Sequence, residues 1–138
     1  MAFMRLSARA DYALRAAIEL AAAEDDRVPA EQLAQAQGIP DRFLEPILTH
    51  LRRCNIVRSQ RGPDGGFWLA RPAAEISLAE VIRAIDGQVL GVRGERPENG
   101  SYRGAAKPLQ RVWIALRAHE REVLEELTLA DIVSGNVP

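Results

Sequence analysis

The sequence predicts a mainly α-helical chain with one small β-hairpin, and three observations carry that expectation. Apolar residues recur at helical intervals along most of the chain. Two short runs of strand-type residues, Ile56-Val57 and Phe67-Trp68-Leu69, flank Gly62-Pro63-Asp64-Gly65-Gly66, which is a turn sequence. Two short helices joined through a glycine precede that hairpin, in the order of a helix-turn-helix followed by a wing.

A length of 138 residues suits one domain around one core. The formal net charge is −1 and the pI about 6.1, so no global basic field advertises nucleic acid. Any case for DNA must rest on where the charges sit. Cys54 is the only cysteine, which excludes an internal disulfide and any multi-cysteine zinc or iron–sulfur site, and points to a reducing compartment. Near the N-terminus, Arg9, Asp11, Arg15 and Glu19 interrupt the apolar run at helical intervals, unlike the core of a signal peptide. No run approaches the roughly 20 apolar residues of a membrane span. A cytoplasmic protein with no membrane contact is expected.

In chain order, Ala10, Ala13, Leu14, Ala17, Ile18 and Ala21 mark an amphipathic first helix over about 7–23. Pro29 suits a first helical position, Glu31 to Gln37 a short second helix, and Gly38 its C-cap. A third helix runs over about 41–53. Its apolar stripe is Leu44, Ile47, Leu48 and Leu51, and Arg42, Glu45, Thr49 and Arg52 line the opposite side. Pro46 lies inside it and is expected to bend the first turns.

After the hairpin, Ser77 and Glu80 form a capping-box signature, Ile76 and Val81 a hydrophobic staple, and a helix over 78–86 ends at Gly87. Residues 88–107 show no periodicity and are expected to form a structureless, regulatory loop. A long helix follows over about 108–127, with Leu109, Val112, Trp113, Leu116 and Val123 along one stripe that invites a second subunit. His119 interrupts that stripe as an expected packed polar residue. Thr128 and Asp131 repeat the capping pattern before a brief last helix and a polar tail. The expected organisation is a DNA-binding unit over 1–87, with its recognition helix at about 41–53 and wing at about 56–70. The loop over 88–107 and a dimerisation helix with tail over 108–138 complete it.

The hairpin region is cationic: Arg52, Arg53, Arg58, Arg61 and Arg71 stand against the single acid Asp64. Such a cluster suits phosphate backbones. On a recognition helix, Arg42 could read a guanine and Glu45 could accept from a cytosine amino group. Neither His50 nor His119 has a nucleophile, metal or phosphate-loop constellation around it, so no catalytic site, metal or cofactor is expected. A DNA-binding regulator and a winged helix that instead binds and regulates a partner enzyme both remain open on these grounds.

The string Arg61-Gly62-Pro63-Asp64-Gly65-Gly66-Phe67-Trp68-Leu69, preceded by Leu44-Glu45, Leu51 and Ile56-Val57, resembles one family of bacterial winged-helix regulators. That family contains the iron–sulfur cluster regulator IscR, the nitric-oxide sensor NsrR and the cysteine-metabolism repressor CymR. Met4-Arg5-Leu6-Ser7, Tyr12-Ala13-Leu14-Arg15, Ile76-Ser77-Leu78 with Ile82 and Asp86, and Trp113 with Leu129 extend the likeness almost end to end. The resemblance implies a homodimer with crossing C-terminal helices, one recognition helix per subunit in the major groove, and a near-palindromic operator. By position, Glu45 would read a base and Arg61 would enter the minor groove; Asp41, Arg42, Thr49, Arg52, Ser59 and Gly62 complete the candidate DNA surface. Cluster-binding relatives hold three cysteines in the loop before the long helix. Here Glu95, Ser101 and Lys107 lie roughly at those places, so a cysteine-ligated cluster is not expected. Asp11 matches a carboxylate that some relatives supply to the partner's cluster, and Cys54 follows the recognition helix; both are candidate sensing residues. A small-molecule or protein effector is the expected signal.

Overall fold

The computed structural model describes residues 6–87 and 101–138. Its first helix, α1 (Ala8–Ala22), begins at Ser7, whose hydroxyl accepts from the Ala10 N–H at 3.0 Å. Ala10, Ala13, Ala16, Ala17 and Leu20 are buried along it. Small side chains let neighbouring helices approach closely, so α1 becomes the central helix of the core. Its cap is also clamped from afar. The Ser7 hydroxyl donates to Asp86 Oδ1 at 2.6 Å, and the Ser7 N–H donates to Asp86 Oδ2 at 3.1 Å. These charge-assisted bonds fix the start of α1 to the end of a helix far along the chain.

The second helix, α2 (Ala30–Gln37), starts one residue later than expected. Pro29 is its N-cap, with φ −62° and ψ 149°, rather than its first helical residue. Val28 explains this, because a bridge to the hairpin holds it extended. Its N–H donates to the Phe67 carbonyl at 2.9 Å, and its carbonyl accepts from the Phe67 N–H at 2.8 Å. Gly38 closes α2 in the left-handed conformation, φ 63°. The third helix, α3 (Asp41–Arg53), is continuous through Pro46, and Leu44, Ile47, Leu48 and Leu51 are all fully buried.

The strands β1 (Val57–Gln60) and β2 (Gly66–Leu69) pair antiparallel, Val57 opposite Leu69 and Gln60 opposite Gly66. The first strand therefore reaches past Ile56-Val57 into polar residues, which alternation of apolar residues could not reveal. Gly66 sits at φ +150°, and a Cβ there would lie 2.8–2.9 Å from the Val28 backbone. The bridge that joins the hairpin to the segment before α2 needs a residue without a side chain.

Past a short 3₁₀ turn at Ala73–Glu75 comes α4 (Leu78–Asp86). The Ser77 hydroxyl accepts from the Glu80 N–H at 3.1 Å, but the expected capping box is only half used. The Glu80 carboxylate is instead paired with Arg71. Of the expected loop over 88–107, residues 88–100, Glu95 among them, lie outside the described residues. The part over 101–107 is not structureless, since it carries a 3₁₀ turn at Gly104–Ala106.

The long helix is α5 (Leu109–Glu126), and α6 (Leu129–Ser134) follows with a complete capping box. The Thr128 backbone N–H (2.9 Å) and hydroxyl (3.0 Å) both donate to Asp131 Oδ2. These bonds, the backbone one foremost, hold the Asp131 carboxyl below the usual carboxylate range. Although it follows the outlying α5, α6 returns to the central core. Leu129 is fully buried; its N–H donates to the Ile76 carbonyl at 3.0 Å, and the Leu78 N–H donates to the Leu127 carbonyl at 2.9 Å. Among the described helices of eight or more residues, α5 alone has no buried residue.

Candidate nucleic-acid interface

The surface of interest is built by burying the other side of the same helix. With the apolar stripe of α3 sealed in the core, Asp41, Arg42, Glu45 and Arg52 are left exposed and Thr49 half-exposed. Thr49 Oγ1 donates back to the Glu45 carbonyl at 3.0 Å, one turn earlier. The Arg42 guanidinium lies 4.8 Å from the centre of the Phe43 ring, and that ring is 6.2 Å from Tyr12 on α1. Arg42 is thus steadied at the N-terminal end of the helix by a cation–π contact.

The wing adjoins this face. Arg52 on α3 donates to the Ser59 hydroxyl on β1 at 3.3 Å, so helix and hairpin share one polar seam. Arg61 and Gly62 are exposed at the turn, closed by a bond from the Gly65 N–H to the Gly62 carbonyl at 2.9 Å. A Cβ on Gly65 would meet the Gln60 carbonyl oxygen at 2.1 Å, so the tight turn that presents Arg61 depends on it. Arg58 stands opposite Trp68 in the ladder and is exposed.

Three sequence expectations change here. Arg71 does not belong to the open cationic surface, because its pairing with Glu80 ties the exit of the hairpin to α4. Arg27, outside the sequence reading, does belong to the hairpin. It hydrogen-bonds Gln60 and lies 4.8 Å from the centre of the Trp68 ring. It precedes α2, and only the Val28–Phe67 bridge brings it to the wing, so periodicity gave no signal for it. His119 is not packed: its side chain is 76% exposed, 4.0 Å from Glu122. Pro46 and Arg53 are also exposed on the outward side of α3. At about 100° per residue, both fall within about 40° of Arg42 around the helix, a signal the sequence does contain.

The two candidate sensing residues stand apart. Asp11, on α1, forms an ion pair with Arg15 at 3.2 Å. Cys54 is exposed at the C-cap of α3. On α5, Leu109, Val112, Leu116 and Val123 are exposed and Trp113 is half-buried. Beside them Glu120 has its pKa raised by partial desolvation, against the pull of Arg117. An ion pair between Arg83 and Glu125 at 2.7 Å connects α5 to α4.

A buried-backed helix, a hinging glycine turn and a cationic hairpin in this order define a winged helix-turn-helix protein of the DNA-binding class. The family model for Rrf2, the iron-dependent transcriptional regulators, matches residues 6–135, and the chain belongs to that family. It is 52% identical over 136 residues to a helix-turn-helix-type transcriptional regulator of Mycobacterium tuberculosis, covering 98% of this chain and 84% of that one. To IscR of Cereibacter sphaeroides it is 32% identical over 139 residues, covering 97% and 90%. Among solved structures, CymR, the global cysteine regulator of B. subtilis, superposes with a TM-score of 0.81 at 28% identity, covering 95% of this chain and 97% of that one. These relatives are transcriptional regulators, not enzymes. No helix among the described residues is long and apolar enough to cross a membrane.

The family description speaks of iron, and the donor set of this chain does not fit a thiolate-held iron group. Cys54 is the only cysteine in the sequence and lies exposed at the end of α3. Among the described residues, no three His, Cys, Asp or Glu side chains gather where they could hold a metal ion.

Proposed function

We propose that this chain is a homodimeric repressor that binds a near-palindromic operator and is controlled without a cysteine-ligated iron–sulfur cluster. One observation supports it most: the exposed face of α3 and the Arg61 turn adjoin as one surface, joined by the Arg52–Ser59 hydrogen bond. In this reading α3 lies in the major groove. Arg42 reads a guanine, and Glu45 accepts from a cytosine amino group. Arg61 enters the adjacent minor groove, and Asp41, Thr49, Arg52, Ser59 and Gly62 set register against backbone and base edges. Residues 1–87 form the DNA-binding unit, with α6 folded back onto it. The exposed apolar residues of α5 pair two subunits, and the segment over 88–107 is where a small-molecule or protein effector acts.

The test is to purify the protein, record its visible spectrum, and footprint the genomic DNA it retains. The expected result is a colourless protein protecting two symmetric half-sites, centred one helical turn of roughly 10 base pairs or a multiple of it apart. A thiolate–iron chromophore would contradict the cluster-free reading. Sequence-independent retention, or one asymmetric site, would contradict the operator reading.

A further inference from the structure

We infer that Pro46 and Thr49 together form an apolar seat for a thymine C5-methyl group in each operator half-site. The inference deepens the DNA-binding reading above and rests on it. Proline is the least favourable residue for a helix interior, yet Pro46 sits at the sixth position of α3, exposed, with the core-packing residues on the other side of the helix. The fold itself gives its ring no packing role. Thr49 lies one turn further on, and i, i+3 residues on a helix have Cβ atoms about 5–6 Å apart. Its hydroxyl is turned back to the Glu45 carbonyl at 3.0 Å, which fixes a β-branched side chain that has few rotamers to begin with.

The result is a pyrrolidine ring beside a threonine methyl, flanked by Arg42, Glu45 and Arg53, on the outward face of α3. A purely polar face would suit guanine and cytosine edges. An apolar pair within a charged surrounding matches the one apolar group of the major groove, the methyl of thymine. With Arg42 on a base edge, Arg53 at the far end of the same face is placed to hold the backbone and keep the helix close enough for that contact to form. The seat favours thymine, and by the same chemistry 5-methylcytosine, over their unmethylated counterparts.

The test replaces thymines of the footprinted operator by uracil, one position at a time, which removes the methyl and leaves base pairing intact. One position per half-site is expected to weaken binding about fourfold, the worth of one buried methyl, and about fifteenfold when both half-sites are changed. Wild-type protein is compared with P46A, T49S and the double variant. P46A removes a helix-breaking residue, and T49S keeps the hydroxyl bond to Glu45, so both are expected to fold. The thymine-over-uracil ratio is expected to shrink in each single variant and to shrink furthest in the double variant, where only the small alanine methyl is left. Operator-specific binding by the wild type with no uracil-sensitive position overturns the methyl seat and leaves the DNA-binding reading standing. A double variant that keeps the full ratio also overturns it. Absence of any sequence-specific binding by the wild type overturns both.

Discussion

Gly66 shows how a single residue can decide whether the wing is joined to the body. Its φ of +150° and the 2.8–2.9 Å approach that a Cβ would make to Val28 leave no room for a side chain. Gly66→Ala is expected to cost about 1–3 kcal/mol in urea unfolding, from backbone strain plus displacement of the Val28–Phe67 bridge. Unchanged stability would mean that the bridge does not hold the hairpin. The Gly-Gly pair was legible in the sequence as a turn, but its second role was not. The obstacle is the backbone of Val28, 38 positions earlier by the numbering, and no local pattern announces it. Arg71 makes the complementary point. Counting it among the DNA arginines was reasonable from charge alone, and only the position of Glu80 on α4 removes it from that surface.

Among the elements, the helix with the weakest tie to the core and the one with the firmest cap are neighbours. On α5, Leu109, Val112, Leu116 and Val123 are all exposed, a row of apolar side chains left in water. Val112→Glu together with Leu116→Glu is expected to shift the protein from dimer to monomer in analytical ultracentrifugation while leaving its helical circular dichroism in place. A dimer that survives both charges would contradict the role assigned to α5. In α6, the lowered Asp131 pKa makes the cap pH-dependent. A group whose folded pKa is depressed stabilises the fold above its unfolded pKa, about 3.9, and loses that contribution as pH falls through the folded value. Asp131→Asn is therefore expected to flatten the stability profile below about pH 4, read as the urea midpoint against pH. An unchanged profile would show that the carboxylate is not held by Thr128. The capping pattern itself was readable, since Thr128 and Asp131 are three apart. The return of α6 to the core was not, because Ile76 and Leu129 are 53 positions apart in the sequence, with the whole of α5 between them.

At the scale of the molecule, the sequence disclosed the helices and the hairpin because their periods and turn residues are local. The long-range contacts that arrange them were hidden. Ser7 meets Asp86 across 79 residues, and Arg27 reaches Gln60 across 33. The candidate DNA surface was legible in outline, since one face of α3 and the Arg61 turn follow from helical projection and turn chemistry. Its edge was not: Arg71 left it on tertiary grounds, by pairing with Glu80, and Arg27 reached the hairpin in the same hidden way. What results is a surface in which a nearly neutral protein concentrates Arg42, Arg52, Arg53, Arg58 and Arg61 around α3 and the wing. Counterion release makes that concentration of charge measurable. Operator affinity should be titrated against salt for the wild type and for Arg61→Ala. Arg61→Ala is expected to lose much of its operator affinity, with a log–log salt slope shallower by roughly one unit for each DNA phosphate that the side chain no longer neutralises. Operator binding by Arg61→Ala with affinity and slope unchanged would contradict it.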